Sequence, residues 1–453
     1  MHFQKLLATP ALLSSTTIAS SLVSHDRYPA LINATIDDIS SDLSRGLFTS
    51  RDLINPGALA IAAHLNNLRA NGTIFGPLHE IPVLLKDNIA TNDKLNNTAG
   101  SYSLLGAKVS RDSTVVAKLW EASRVVLGKA NLAQRAITRS MNATDSGSAY
   151  GGQVYVAYHQ AQDPRGSSSG SAVAAALGLA GATLGTETES SIISPSNRGN
   201  VVGISPTVGL TSRYLVVPVS EHQDTIGPIA RTVKDAALIL EAIAGGDSRD
   251  NYTSAIPHNG SIPKYSAACK RGALHGRRIA QIKDELGATI VTANFTRYEA
   301  WQNDKIETVA GNANFPINVA KYFAELSYNP YNLTSLAEIT GFTHGFPEED
   351  WPAKDTGDCD GPDGVLPQGW DNTDPRWTRS DAILLPRYLL APYVPSLVGS
   401  PTISVPLGHY LSNVSVVKDG LVFFLGAKWS GEQLVGFAYN YEQLTQHGSE
   451  VQP

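Results

Sequence analysis

The chain has 453 residues, 42% of them hydrophobic and only 17% charged, with a formal net charge of −6. That balance excludes a disordered, charge-rich chain and supplies no basic field to recruit nucleic acid or an anionic membrane. Two cysteines, Cys269 and Cys359, exclude a disulfide scaffold and a cysteine-only zinc site.

In chain order, a basic start at Lys5, a short apolar stretch between Leu6 and Leu13 and small residues near Ala19 and Ser20 fit a secretory signal peptide over residues 1–21, although Thr9 and Pro10 interrupt the apolar stretch. Asn-X-Ser/Thr sequons begin at Asn33, Asn71, Asn96, Asn142, Asn251, Asn259, Asn294, Asn332 and Asn413. They exceed chance placement and fit a secreted chain whose glycans offset its low charge. The plainer alternative is an Asn-rich polar surface without glycan.

From about Leu78 to Gly245, strand-like and helix-like segments alternate. Ile81 to Leu85 is a short apolar run, read as a buried strand. Thr114 to Ala122 spaces Val115, Val116, Leu119 and Trp120 as a helix. Val125 to Leu127 reads as a strand ended by Gly128. Ala172 to Ala180 reads as a helix, with a strand from Thr183 to Thr186 after it. No charge interrupts Gly166 to Thr186, a length that could suggest a membrane span. Its Ser, Gly and Ala content and polar opening make a buried helix the better reading. Thr232, with Asp235 three residues on, begins an amphipathic helix that Gly245-Gly246 ends. Residues 250–380 are richer in Pro, Gly, Asn and Asp, with looser helical segments such as Arg297 to Ala310. Strand patterns return at Thr402 to Val405 and Val422 to Leu425, and a last helix aligns Leu434, Val435, Ala438 and Tyr441. The pattern is α/β with a largely parallel sheet, which the C-terminal part rejoins.

Several catalytic devices are absent: no H-E-x-x-H, no C-x-x-C and no phosphate loop. A lone histidine such as His79 or His222 is more often a structural hydrogen-bonder than a catalyst. One G-x-S-x-G match, Gly166 to Gly170, would make Ser168 an elbow nucleophile. An elbow needs a strand running straight into it, and Pro164 and its neighbours separate this loop from the strand-like run Gln153 to Tyr158.

Three features remain. The loop Gly166-Ser167-Ser168-Ser169-Gly170-Ser171 opens onto an Ala-rich helix; it is either a linker or a helix N-terminus that favours negative charge. The polar loop from Gly185 to Pro195 follows a short strand, where α/β sheets place their sites. Lys86 ends an apolar strand. Spacing alone favours outward snorkelling over desolvation at a site.

Together these stretches resemble the amidase signature family of serine hydrolases. The carriers are Ile81 to Asn88, Gly166 to Ser171 and Gly185 to Ile192, extended by Val202 to Leu210 and Asp224 to Val233. The likeness covers about residues 30–250 and 395–446 and is nearest to the peptide-amidase-like branch with many secreted fungal members. It implies an amidase signature fold: one domain over 22–446, with a large, mostly parallel mixed sheet flanked by helices. The core would be 78–246 and 395–446, the substrate-loop insert about 250–380, and the tail 447–453.

By the same resemblance Lys86 matches the catalytic lysine, Ser167 the serine after a cis peptide bond, and Ser191 the nucleophile. Backbone N–H groups of Thr188, Glu189, Ser190 and Ser191 match the oxyanion hole. The implied reaction is carboxamide hydrolysis through an acyl-enzyme, on a small amide or a peptide C-terminal amide, without cofactor, metal, nucleic acid or membrane span. The alternatives are a catalytically impaired binding paralogue and a glutaminase-type subunit of an aminoacyl-tRNA amidotransferase; the signal peptide and sequons disfavour the latter.

The chain departs from the family in four places. Ser190 stands where the family usually has Gly, Glu189 where this branch has Asp, Glu80 where Gly follows the His, and Ser205 where Lys is usual. The regions near residue 54 and from Ala382 to Val398 look short. If the chain is secreted, Cys269 and Cys359 could form one disulfide.

Overall fold

A computed structural model describes residues 35–37, 39, 56–137, 146–158, 162–275, 278–279, 289–290, 306–349, 395–396, 399–406 and 421–445. The proposed signal peptide, Cys359, the stretch from Ala382 to Tyr393 and the sequons at Asn33, Asn142, Asn294 and Asn413 lie outside them. Of the remaining sequons, Asn71, Asn251, Asn259 and Asn332 are exposed and Asn96 is half-buried.

The frame is a seven-stranded mixed sheet. Its strands are β1 (Pro82–Lys86), β2 (Val125–Ala130), β3 (Ala182–Glu187), β4 (Val202–Ser205), β5 (Thr225–Ala230), β6 (Thr402–Pro406) and β7 (Leu421–Leu425). Their order is β7-β6-β4-β5-β3-β1-β2. The expected mixed α/β sheet is present, but neighbours are parallel only where β1 meets β2 and β3; the other pairings are antiparallel. Parallel neighbours need a crossover. Helices α1 (Pro56–Ala70), α2 (Thr114–Glu121) and α3 (Ser169–Ala176) flank these three strands in sequence, whereas β5 lies antiparallel beside β3 and the C-terminal pair β6–β7 is antiparallel.

Strand β2 continues through Gly128 to Ala130 because it stays in register with β1 as far as Lys86 opposite Ala130. The expected stop at Gly128 is therefore corrected: a glycine between two paired strands does not end the ladder. Helix α3 begins at Ser169 and ends at Ala176, earlier than the apolar run suggests, with Gly178 beyond it at φ 68°.

Helix α4 (Ile193–Arg198) is short and carries Pro195 inside. Helix α5 (Val233–Ile243) starts as its sequence signals: the Thr232 side chain accepts from Asp235 N at 3.1 Å, a cap of about 1 kcal/mol. Val233, Ala236, Ala237, Leu240 and Ile243 turn inward and meet Val202, Ile204 and Ile226 of the sheet. They also meet Leu434, Val435, Ala438 and Tyr441 of the last helix, which runs from Gly431 to Thr445.

The region read as loop-rich holds helices of its own. Helix α6 (Ile306–Ala324) continues through Pro316, and α7 (Leu336–Gly345) opens on a capping box of Ser335 and Glu338. Phe315, Val319, Tyr322 and Phe323 pack with Leu336, Ile339, Ala99 and Leu104 as a separate apolar cluster. The last helix is α8 in chain order. Among the described residues no helix is long and apolar enough to cross a membrane.

Candidate active site

The carboxyl end of β1 carries the central charge of the molecule. Pro82 to Leu85 are apolar because β1 is covered on both faces and paired on both edges. The same placement leaves Lys86, the next residue, no route to solvent: it is 0% exposed. The snorkelling expectation is thus overturned. That reading treats the strand as one with a free flank, and β1 has none.

Burial removes hydration from the ammonium, and three oxygens replace it. Lys86 Nζ lies 2.6 Å from Ser167 Oγ, 2.8 Å from Thr186 Oγ1 and 3.0 Å from Thr186 O. Desolvation lowers the lysine from 10.5 to about 7, against the opposing pull of the Glu187 and Asp224 carboxylates.

The Gly/Ser loop is no linker. Ser167, Ser168 and Ser169 are each 0% exposed. The Gly166–Ser167 peptide is cis. Ser167 O accepts from Ala133 N at 3.1 Å, and Gly170 N donates to Asn131 O at 2.9 Å. A Cβ on Gly170 would sit 2.5 Å from Asn131 O, so only glycine permits this approach. The expected anion point at the α3 N-terminus is filled by protein: Gly170 N serves Asn131, and Ser168 N donates to Ser191 O at 3.0 Å. Ser168 Oγ donates to Thr186 O at 3.1 Å inside the core, which leaves it no access to a substrate.

The β3–α4 turn holds the third element. Glu187, last in β3, accepts from Ile192 N at 2.5 Å and Ile193 N at 2.9 Å, so its carboxylate secures the backbone that follows Ser191. Burial nevertheless pushes Glu187 above the usual carboxylate range. Thr188 is held from the other side, its hydroxyl donating to Asp224 Oδ1 at 2.6 Å. Ser191 is 4% exposed, and its hydroxyl points to Glu189 O at 3.3 Å. No hydrogen bond joins the Ser191 and Ser167 hydroxyls, although both lie in the same loop pair. The N–H groups of Ser190 and Ser191 meet no acceptor among the described residues.

Ser190 adopts φ 50°. The left-handed region costs a residue with a Cβ roughly 1–2 kcal/mol, and that strain bears directly on the N–H groups beside Ser191. Ser190→Gly should therefore raise kcat/KM, by several-fold and up to ~10² if one donor of an oxyanion site is realigned. The urea midpoint should move by less than about 1 kcal/mol, because relieved strain and added unfolded-state entropy oppose each other. An unchanged or lower kcat/KM would reject the strained-turn account.

Thr186, Asn88 and Asp224 were not singled out in the sequence. Asn88 and Asp224 sit inside motif stretches, and Thr186 closes a strand pattern; nothing local marks them. The histidines are structural here. His79 lies before the amino end of β1, with Nε2 3.3 Å from Leu65 O, and His222 Nδ1 meets the Tyr252 hydroxyl. Cys269 Sγ rests on Tyr265 O, and burial pushes its thiol up to about 12. Among the described residues no group of His, Cys, Asp and Glu is arranged to hold a metal ion.

The family model described as Amidase matches residues 39–302. A protein of Arthroderma benhamiae named as an amidase is 40% identical, over 92% of this chain and 86% of its own length. A glutamyl-tRNA(Gln) amidotransferase component from Chloroflexus aggregans is 38% identical over 55% of this chain; the match spans 47% of that protein. Among solved structures, native peptide amidase from Stenotrophomonas maltophilia superposes with a TM-score of 0.79 at 29% identity, covering 91% of this chain and 97% of that one.

Proposed function

The chain belongs to the amidase family of enzymes that hydrolyse amide C–N bonds, and from that premise we propose that Lys86, Ser167 and Ser191 are its catalytic set. The observation that carries the assignment is the 2.6 Å approach of the buried Lys86 Nζ to Ser167 Oγ. A neutral amine has two N–H donors and one lone pair. The two donors suit Thr186 O and Thr186 Oγ1, and the lone pair then accepts the Ser167 proton.

Ser167 oxygen is thereby free to accept the Ser191 proton once Ser191 turns from Glu189 O, a rotation about one bond. Ser191 Oγ attacks the amide carbon while its proton passes to Ser167 and the Ser167 proton to Lys86. The N–H groups of Thr188, Glu189, Ser190 and Ser191 receive the oxyanion, each donor worth about 3–4 kcal/mol. The relay reversed delivers a proton to the nitrogen as the C–N bond breaks. Water then attacks the acyl-enzyme by the same route, releasing the acid and restoring Ser191.

The substrate is a small amide or a peptide C-terminal amide. The near-complete overlap with a peptide amidase supports this over an amidotransferase role, for which the matching protein shares about half of its length. A fluorophosphonate probe tests the nucleophile. It should add one adduct, mapped by mass spectrometry to the peptide bearing Ser191, with parallel loss of ammonia release from amides. Labelling at Ser168, or full inhibition without an adduct on Ser191, would overturn the assignment.

A further inference from the structure

Beside Thr186, outside the catalytic set, lies a cavity lined by Asn88, Thr188, Val217, Asp224, Thr225 and Ile226. One wall is polar and carries unmet hydrogen-bonding capacity. Asn88 and Thr225 are each 2% exposed, yet Asn88 Oδ1 and Thr225 Oγ1 have no hydrogen-bond partner. Buried polar atoms without partners are few in native proteins, and here two line one cavity. The Asn88 amide nitrogen is committed, donating to Thr186 Oγ1 at 3.0 Å and facing Val217 O at 3.5 Å, which leaves the oxygen as the unpaired end.

Asp224 adds negative charge. Its Oδ2 accepts from Val219 N at 2.7 Å and Ser220 N at 3.0 Å, while Oδ1 takes only the Thr188 hydroxyl and retains room for a second donor. Arg213 also borders the cavity, but its charge is turned away: the guanidinium clasps Asp250, with Nε at 2.8 Å, and stacks 4.3 Å over Tyr252. The wall therefore offers acceptors and a carboxylate opposite the apolar side chains of Val217 and Ile226. It adjoins the reacting groups, since Thr186 Oγ1 is shared by Asn88 and Lys86, and Thr188 opens the turn that ends in Ser191.

We propose that this cavity is a subsite for a hydrogen-bond-donating, uncharged or cationic substituent on the acyl part of the amide substrate, such as an α-acylamino N–H, received by Asn88 Oδ1 and Thr225 Oγ1 next to Asp224. The adjoining hydrocarbon of the substrate lies on Val217 and Ile226. This rests on the amidase reading of the neighbouring serines and lysine.

Binding to the full chain carrying Ser191→Ala separates recognition from turnover. Three probes compared by calorimetry suffice: N-acetyl-L-leucinamide, 4-methylpentanamide, which lacks the donor, and 2-(2-methylpropyl)malonamate, which replaces it with an anion. The first should bind about tenfold or more tightly than the second, the worth of one good hydrogen bond to a buried partner, and the anion should bind weakest. Thr225→Val in the same background, which keeps shape and removes the hydroxyl, should narrow the ratio between the first two probes several-fold. Equal affinity for all three probes, as expected if water alone fills the cavity, would overturn the subsite, as would an unchanged ratio in Thr225→Val. Should that variant fail to fold, the ranking of the three probes alone decides. Turnover retained by Ser191→Ala would instead sink the catalytic reading, whatever the ranking.

Discussion

Ser191→Ala should lower kcat on the order of 10⁴–10⁶-fold, the range seen when a hydrolase loses its nucleophile, while leaving the protein folded. The structural cost is small because the hydroxyl makes one hydrogen bond, to Glu189 O at 3.3 Å. Losing such a bond costs about 1 kcal/mol. The backbone around it is held by other groups: Glu187 anchors Ile192 and Ile193, and Ser168 N anchors Ser191 O. A urea midpoint within about 1 kcal/mol of wild type, together with ammonia release near background, is the expected pair of results. A variant that keeps more than a tenth of wild-type turnover would remove Ser191 from the reaction. A large shift of the midpoint would mean that the turn depends on the hydroxyl, and the rate would then report unfolding.

Much of this frame is legible in the sequence because it is written in local patterns. Thr232 and Asp235 mark the start of α5, and the apolar spacing of Val115, Val116 and Leu119 marks α2; both occur where expected. The two strands between β3 and β6 are not legible in that way. β4 and β5 contain Gly203, Gly227 and Pro228, residues that argue against a strand. The structure explains their presence. A Cβ on Gly227 would lie 1.9 Å from Ile204 O, so β4 and β5 close together only over a glycine. Pairing of β5 with β4 covers Ile229 and Ala230 and does not require the nitrogen of Pro228.

The fate of Lys86 is likewise invisible locally. Whether a lysine at a strand end reaches water depends on what pairs with the strand, and that is decided by residues 125–130 and 182–187. The family resemblance carried the site where spacing could not. Two of the departures it exposed, Glu80 and Ser190, fall on positive φ, at 70° and 50°. At both the chain holds a side chain in a conformation glycine adopts without strain.

The second large effect concerns the charge on Lys86. Lys86→Ala should be as inactive as Ser191→Ala under first-order conditions, since Ser167 alone is a poor acceptor of the nucleophile's proton. In wild type, kcat/KM should rise with pH through an apparent pKa of about 7, far below the 10.5 of an ordinary lysine. Only the neutral amine can take a proton, so below that value the rate should fall about tenfold per pH unit. His79 and His222 are both lowered from 6.5 by burial, so a limb set by either would lie at lower pH and would vanish in its own variant.

Stability supplies an independent check of the same group. The folded protein releases the Lys86 proton at about 7 and the unfolded chain near 10.4. Between those values the unfolded state binds more protons, so stability rises with pH across that window. The burial penalty is fully present below about pH 7, on the order of 4–5 kcal/mol, and gone above the unfolded value. Lys86→Met carries no such charge. The stability of Lys86→Met relative to wild type should therefore be most favourable at pH 6 and decline steadily toward pH 10, even though Thr186 and Ser167 lose a partner at every pH. A difference that stays flat with pH would mean that Lys86 titrates as an ordinary lysine, and an amine that remains charged at neutral pH cannot act as the base that starts the relay.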